Sequence, residues 1–270
     1  GEPFIEVRRK PKSDLTCGGI LPPNSSHIRL VNRYCYHERA AQLMKQFLER
    51  YQYSDVRISR IDIALDFVVF DSGDMPEKFI DRFMKGRYCK LNQANIHSHG
   101  KDSWGSRVWN SIKWGSPKSQ VSTKLYNKTL ELRQVKDKPY VRQAWFECNL
   151  IADYHDPLRV DSAGESITPD VWRIEFSLAS SVKGWYTIEE YGDRKKLHSY
   201  RNNLDCYDGR QALWKVWASL CDHYFHFKYY QEGVRKDKCP DKKLFNLLEP
   251  ADIYHVERLN SAAPASTELR

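Results

Sequence analysis

Between residues 60 and 67 the chain reads RIDIALDF, with apolar and polar residues in alternation. Side chains on a strand point in turn to its two faces. Ile61, Ile63 and Leu65 therefore face one way, and Arg60, Asp62, Ala64 and Asp66 the other. VWRIEFSL repeats the pattern, with Trp172, Ile174 and Phe176 opposed to Arg173, Glu175 and Ser177. Elsewhere the period lengthens to that of a helix. Ala40, Ala41, Leu43, Met44, Phe47, Leu48 and Tyr51 make one apolar stripe. Pro76 opens a second helix, with Phe79, Ile80, Phe83 and Met84 inward and Gly86 as its stop. A third begins at Arg210 and carries Leu213, Val216, Trp217, Leu220, Tyr224 and Phe227. From 87 to 178 the pattern is mainly of strands and turns, with strands expected around 108–114, 121–132, 141–151 and 171–178.

The pattern predicts an α+β domain, with a mainly antiparallel central sheet, helices on one face and a helical C-terminal part. HIRLVNRY reads as an early strand. Residues 1–25, punctuated by Pro and Gly, read as an extended N-terminal segment, 26–200 as the main domain, 201–250 as a helical region packed on it, and 251–270 as a mobile tail. No internal repeat is visible.

Charge narrows the partners. Forty-three Lys and Arg against 35 Asp and Glu leave a net charge of +8, which favours a polyanion, most often nucleic acid. The seven Cys form no CxxC pair, so neither a zinc module nor a disulfide framework is expected. No run of apolar residues is long enough to span a membrane, and GEPFIEVRRK lacks the apolar stretch of a signal peptide. A cytoplasmic protein is the expectation. A leading Gly in place of Met is what a processed or excised chain would carry.

Two strands each offering Arg and carboxylate on the side away from the core admit two readings. One is a solvated sheet face with cross-strand ion pairs. The other is a site for a hard divalent cation such as Mg²⁺ or Mn²⁺, held by Asp62, Asp66 and Glu175. Acidic residues are poor strand formers, and that keeps the metal reading open. In TKLYNKTLEL, Lys124, Tyr126 and Lys128 fall at two-residue spacing and so on one strand face. A lone strand tyrosine is usually a surface aromatic. A phenol with a pKa of about 10 becomes a nucleophile only when cations or a base activate it. The preceding turn, WGSPKS, offers the Ser116 hydroxyl, the Lys118 ammonium and backbone N–H groups to a phosphate. His97 and His99 in NIHSHG read as a solvated polar loop, with metal ligation the lesser alternative. Trp104, Trp109 and Trp114 read as core rather than as a base-stacking surface. The loop carrying Arg235, Lys236 and Lys238 reads either as a solvated charge run or as a backbone-phosphate contact.

Taken in order, RIDIALDF, GSPKS, KLYNK and WRIEF resemble the replication initiation factor family of rolling-circle plasmids and integrative mobile elements. The later RKDKCPDKKLF resembles the region that follows its nicking domain. The resemblance covers roughly residues 26–245. It implies a rearranged HUH-type nickase fold and a metal-dependent DNA nickase and strand transferase. In such a protein a tyrosine attacks the phosphodiester, keeps the 5′ phosphate and frees a 3′ hydroxyl. Carried over by position, Tyr126 is the nucleophile and Lys128 its companion. Asp62 or Asp66, with Glu175, holds Mg²⁺ or Mn²⁺, and Glu131 is a lower-ranked candidate placed on the opposite strand face. Arg60, Ser116, Lys118, Lys124, Arg173, Arg235 and Lys236 contact DNA. The implied partners are an origin hairpin and its single-stranded nick site, a helicase, a host polymerase and a second copy of the chain. GSPKS departs from the family in having Pro where Arg is common, and the stretch 141–170 is longer than the family's. Two alternatives stand beside this reading: a DNA-binding module without chemistry, and a conjugative relaxase or transposase using the same chemistry.

Overall fold

The computed structural model describes residues 4–9, 24–54, 56, 58–90, 96–103, 106–116, 119, 121–179, 186–191, 194–199 and 204–246. In chain order the elements are β1 (Ile5–Arg9), β2 (Ser26–Leu30), α1 (Ala40–Arg50), β3 (Arg60–Phe67), α2 (Pro76–Met84), β4 (Tyr88–Lys90), β5 (Ile96–Ser103), β6 (Ser106–Trp114), β7 (Val121–Asn127), α3 (Lys128–Gln134), α4 (Pro139–Glu147), β8 (Trp172–Ala179), β9 (Tyr186–Tyr191), β10 (Arg194–Ser199), α5 (Gly209–Tyr224), β11 (Phe227–Tyr229) and β12 (Asp241–Lys242). A short 3-10 turn, Asn32–Tyr36, precedes α1.

The centre is a five-stranded sheet in the order β3-β8-β7-β6-β5, antiparallel throughout. This is the α+β, mainly antiparallel architecture that the alternating patterns predict. One sheet face is apolar. Ile63 and Phe67 of β3, Ile174, Phe176 and Leu178 of β8, Val121 and Leu125 of β7, and Ile112 and Trp114 of β6 pack there. Against them lie Phe79, Ile80 and Phe83 of α2 and Trp217 and Leu220 of α5. The small sheet β12-β11-β4 closes the same core through Phe227 and Tyr88. Burial of these aromatic and branched side chains is the main stabilising term, about 1.5–3 kcal/mol for each large apolar side chain fully removed from water.

The other sheet face is polar and is covered in part by helices. This corrects the expectation of helices on one face only. The strand expected over 121–132 ends at Asn127 because that residue caps a helix: its side chain accepts a hydrogen bond from the Leu130 N–H at 2.8 Å. The stretch 141–151, expected as a strand, is mostly helix α4. Pro139 starts it, and Val141, Arg142 and Trp145 are its buried positions. Leu132, Val141, Trp145 and Val171 form a second, smaller core. His97 and His99 sit on β5 rather than in a loop. The C-terminal region adds the short strands β11 and β12 to α5. Phe227, expected on the last helix, lies in β11. The tail 251–270 lies outside the described residues. Among the described residues no helix is long and apolar enough to cross a membrane. Cys35, Cys89, Cys148, Cys221 and Cys239 are free.

Candidate active site on the polar sheet face

Sheet register places the predicted residues in rows. Directly paired residues share a face, so one row runs Asp66, Arg173, Tyr126, Ser111, His99 across β3, β8, β7, β6 and β5. The next row runs Ala64, Glu175, Lys124, Lys113, His97. Three sequence blocks, RIDIALDF, KLYNK and WRIEF, are thus neighbours: β3, β8 and β7 lie side by side, and Gly115, Ser116 and Ser119 follow β6. Gly115 has a φ of 93°, and a Cβ there would meet the Val121 carbonyl oxygen at 3.1 Å. Glycine is therefore required twice over.

Tyr126 is the centre of the arrangement. It is only 6% exposed. Its hydroxyl donates to Glu175 Oε2 at 3.2 Å. The Lys124 ammonium lies 4.1 Å from the ring centroid and that of Lys128 lies 5.4 Å away. Burial pushes the phenol well above its usual range. Arg173 opposes that shift, while Glu175, Glu131 and Asp66 add to it. The phenol is therefore neutral in this structure, in contrast to the activated phenol that a flanking pair of lysines predicts.

Lys128 does not share a strand face with Lys124 and Tyr126, because it is the first residue of α3. Its ammonium is 3% exposed and bonds to Glu131 Oε2 at 2.6 Å. Burial and the nearby Arg173 take it down to about 8, against the pull of Glu131. Lys138 reaches the other carboxylate oxygen of Glu131 at 2.7 Å. Burial alone would raise the Glu131 carboxyl; the two lysines outweigh it and hold it at about 2. Glu131 is thus not on the far face of a strand. The helical turn after Asn127 folds it back beside Lys128.

Asp66 belongs to Arg173. The guanidinium donates through Nε to Oδ1 at 2.5 Å and through Nη2 to Oδ2 at 2.6 Å. The Trp145 indole N–H donates to Oδ2 at 2.7 Å. Arg173 also donates to the Tyr36 hydroxyl. Burial would weaken the Arg173 charge, but Asp66 more than offsets this and keeps it firmly protonated. Burial raises Tyr36 to about 12. Asp62 is held by Arg60, at 2.9 Å, and Arg60 also reaches Ser177 Oγ at 3.4 Å.

These bonds give the present partners of the expected ligands. Each of Asp62, Asp66 and Glu175 already has a protein donor, and Asp66 has three donor contacts on its two oxygens. Among the described residues no three His, Cys, Asp or Glu side chains come close enough to share an ion. Arginines engage Asp62 and Asp66 here, and a phenol engages Glu175. Arg173 is likewise a buried partner of Asp66 rather than a free phosphate ligand.

The remaining predicted residues are spread out. Ser116 turns inward: its N–H donates to Ser119 Oγ at 2.8 Å, and the two hydroxyls are 3.2 Å apart. Lys118 lies outside the described residues. Arg235 and Lys236 are exposed in the loop between β11 and β12, and Arg235 is forked onto Asp237 at 3.1 and 2.9 Å. Tyr36, Trp145 and Lys138 were not singled out by the sequence. Only Trp145 carried a usable signal, as the apolar position four residues after Val141 in a Pro-started helix.

No known protein-family model matches this chain, and a search of curated proteins finds no relative. Among solved structures, a rolling circle replication initiator protein from Geobacillus stearothermophilus superposes with a TM-score of 0.44 at 12% identity, over 90% of this chain and 72% of that one. A likeness that loose assigns nothing to this chain.

Proposed function

We propose that the chain is a DNA strand-nicking and strand-joining protein of the rolling-circle initiator type, with Tyr126 as its nucleophile. The observation that carries this is the Tyr126–Glu175 hydrogen bond of 3.2 Å, on a face where three of the blocks that resemble such initiators, RIDIALDF, KLYNK and WRIEF, are neighbours. Tyr126 is neutral at rest, so its proton must leave as attack occurs, and Glu175 is the group in hydrogen-bond reach to take it. The phenolic oxygen bonds to phosphorus, and the bond to the 3′ oxygen breaks. That oxygen takes a proton from solvent and becomes the free 3′ hydroxyl. Lys124, on the Tyr126 ring, and Lys113 beside it hold the phosphate charge. The 5′ phosphotyrosine keeps the energy of the broken bond, so attack by a 3′ hydroxyl reverses the step and joins strands. Mg²⁺ or Mn²⁺ remains a requirement implied by the family resemblance, and no step here passes through it.

A second reading has its own observation. The nucleophile is almost fully covered and every carboxylate of the expected trio is already paired, as in a DNA-binding module that performs no chemistry. A gel assay separates the two. Labelled single-stranded DNA from the element's origin is incubated with wild type or Tyr126→Phe, in Mn²⁺ or in EDTA. The nickase gives a covalent protein–DNA band with wild type that Tyr126→Phe lacks while binding the same DNA. A bound substrate with no band for wild type in Mn²⁺ supports the binding module. Loss of the band in EDTA would show that the step requires a divalent cation.

A further inference from the structure

On the far side of the core from Tyr126, the small sheet β12-β11-β4 ends in two adjacent tyrosines. Tyr229 is 44% exposed and Tyr230 49%. Tyr229 pairs with Tyr88 across the ladder, and their rings meet edge to face at 5.6 Å. The Lys242 ammonium lies 5.7 Å from the Tyr229 ring centroid. The Tyr230 N–H donates to the Arg87 carbonyl at 3.0 Å, which sets the next residue beside the end of β4. The same small sheet and its connecting loop carry the exposed cations Arg87, Lys236, Lys238 and Lys243. No ion pair engages these four among the described residues. Three acids of this region are already paired, Asp237 with Arg235, Asp241 with Lys228 and His226, and Asp74 with Arg82 and Lys242, while Glu232 stands exposed in the loop.

We infer that this surface is a second nucleic-acid site, which binds unpaired single-stranded DNA by stacking bases on Tyr229 and Tyr230 and holding phosphates on Arg87, Lys236, Lys238 and Lys243. Charge complementarity selects a polyanion. Half-exposed rings select one whose bases are free to stack, since bases in a duplex are already stacked on each other. A folded protein normally covers large aromatic rings or leaves them isolated, whereas here two consecutive half-exposed rings stand on a sheet whose strands and loop carry unpaired cations. Burial takes the Lys90 ammonium on the same sheet down to about 7, so the positive field comes from the rim rather than from that lysine. The inference rests on DNA being the partner and not on the chemistry at Tyr126.

The test uses fluorescein-labelled oligothymidine of twenty nucleotides, which carries no nick site, and reads anisotropy over a salt series. Tyr230→Ala should weaken binding about five- to hundredfold, the usual range for one stacked base. Tyr229→Phe keeps a ring and should bind as wild type. Lys236→Gln with Lys238→Gln should flatten the slope of log K against log salt by about 1.4, at about 0.7 per phosphate contact on a single strand. A duplex of the same length that competes equally would overturn the inference. So would lysine variants that weaken binding while Tyr230→Ala does not, which would leave only a general electrostatic contact. Failure of the nicking assay with retained, tyrosine-dependent oligothymidine binding would remove the proposed chemistry and keep this site.

Discussion

At the scale of single residues, the polar face is governed by the Arg173–Asp66 pair. Both side chains are nearly buried, and the pair is complete: two guanidinium bonds, an indole N–H and the Tyr36 hydroxyl leave few polar atoms wanting. A buried pair of this kind is costly to break from one side, because the survivor keeps its desolvation cost without its partner. Arg173→Met should therefore lower unfolding stability by about 3–5 kcal/mol in urea denaturation. Asp66→Leu combined with Arg173→Met should recover much of that loss, and a double variant no better than the single would refute the pairing argument. The alternation in RIDIALDF and WRIEF made it legible that Asp66 and Arg173 point away from the core. It left open whether the carboxylates hold a cation or each other's arginines. That choice depends on Trp145 and Tyr36, which arrive from 79 and 137 residues away in sequence and leave no mark in either strand's own pattern.

At the scale of elements, the decisive unit is α3. The sequence LYNKTLELRQ reads as a strand if only the two-residue spacing is followed, and as a capped helix if Asn127 is weighed as an N-cap. The cap prevails because Asn127 satisfies the Leu130 N–H and the residues after it are good helix formers. Asn127→Ala should cost about 1 kcal/mol, with its side-chain bond to Asp170 lost as well. The expected signature is a lower urea midpoint at an unchanged slope. The same helix places Glu131 between Lys128 and Lys138. Glu131 ionises near 2 when folded and near 4.5 when unfolded, so its contribution is complete above 4.5 and fades as pH falls towards 2. Lys128 is protonated in both states over that window and does not alter the sign. The wild-type advantage over Glu131→Gln, up to about 3 kcal/mol near neutrality, should shrink steadily between pH 4.5 and 2.5. A difference independent of pH would mean that the carboxylate is not charged by its lysines.

For the whole molecule, the informative feature is that two cationic surfaces lie on opposite sides of one core. Tyr126, Lys124 and Glu175 occupy the polar face of the sheet. Tyr229, Tyr230 and their cations stand on the small sheet that closes the apolar face, where Phe227 packs on Trp114 at 5.4 Å between ring centroids. A sheet and the layer packed on it are about 10 Å apart, so no one nucleotide touches both surfaces. Distant sites without shared partners contribute additively, and the two surfaces should separate cleanly in kinetics. Tyr230→Ala should raise the DNA concentration needed for half-maximal covalent adduct, yet leave the rate at saturation unchanged. Glu175→Gln should do the reverse: DNA affinity stays within about twofold, while the saturating rate falls by about 10²–10⁴, the usual worth of a positioned general base. The net charge of +8 makes ionic strength the control variable, so both variants must be compared at one salt concentration. If Glu175→Gln tightened binding and spared the rate, Glu175 would be an electrostatic guard of the phosphate site rather than its base. Tyr126 would then surrender its proton elsewhere, with Lys128, held near 8 by its burial and 5.4 Å from the ring centroid, a group fitted to receive it once deprotonated.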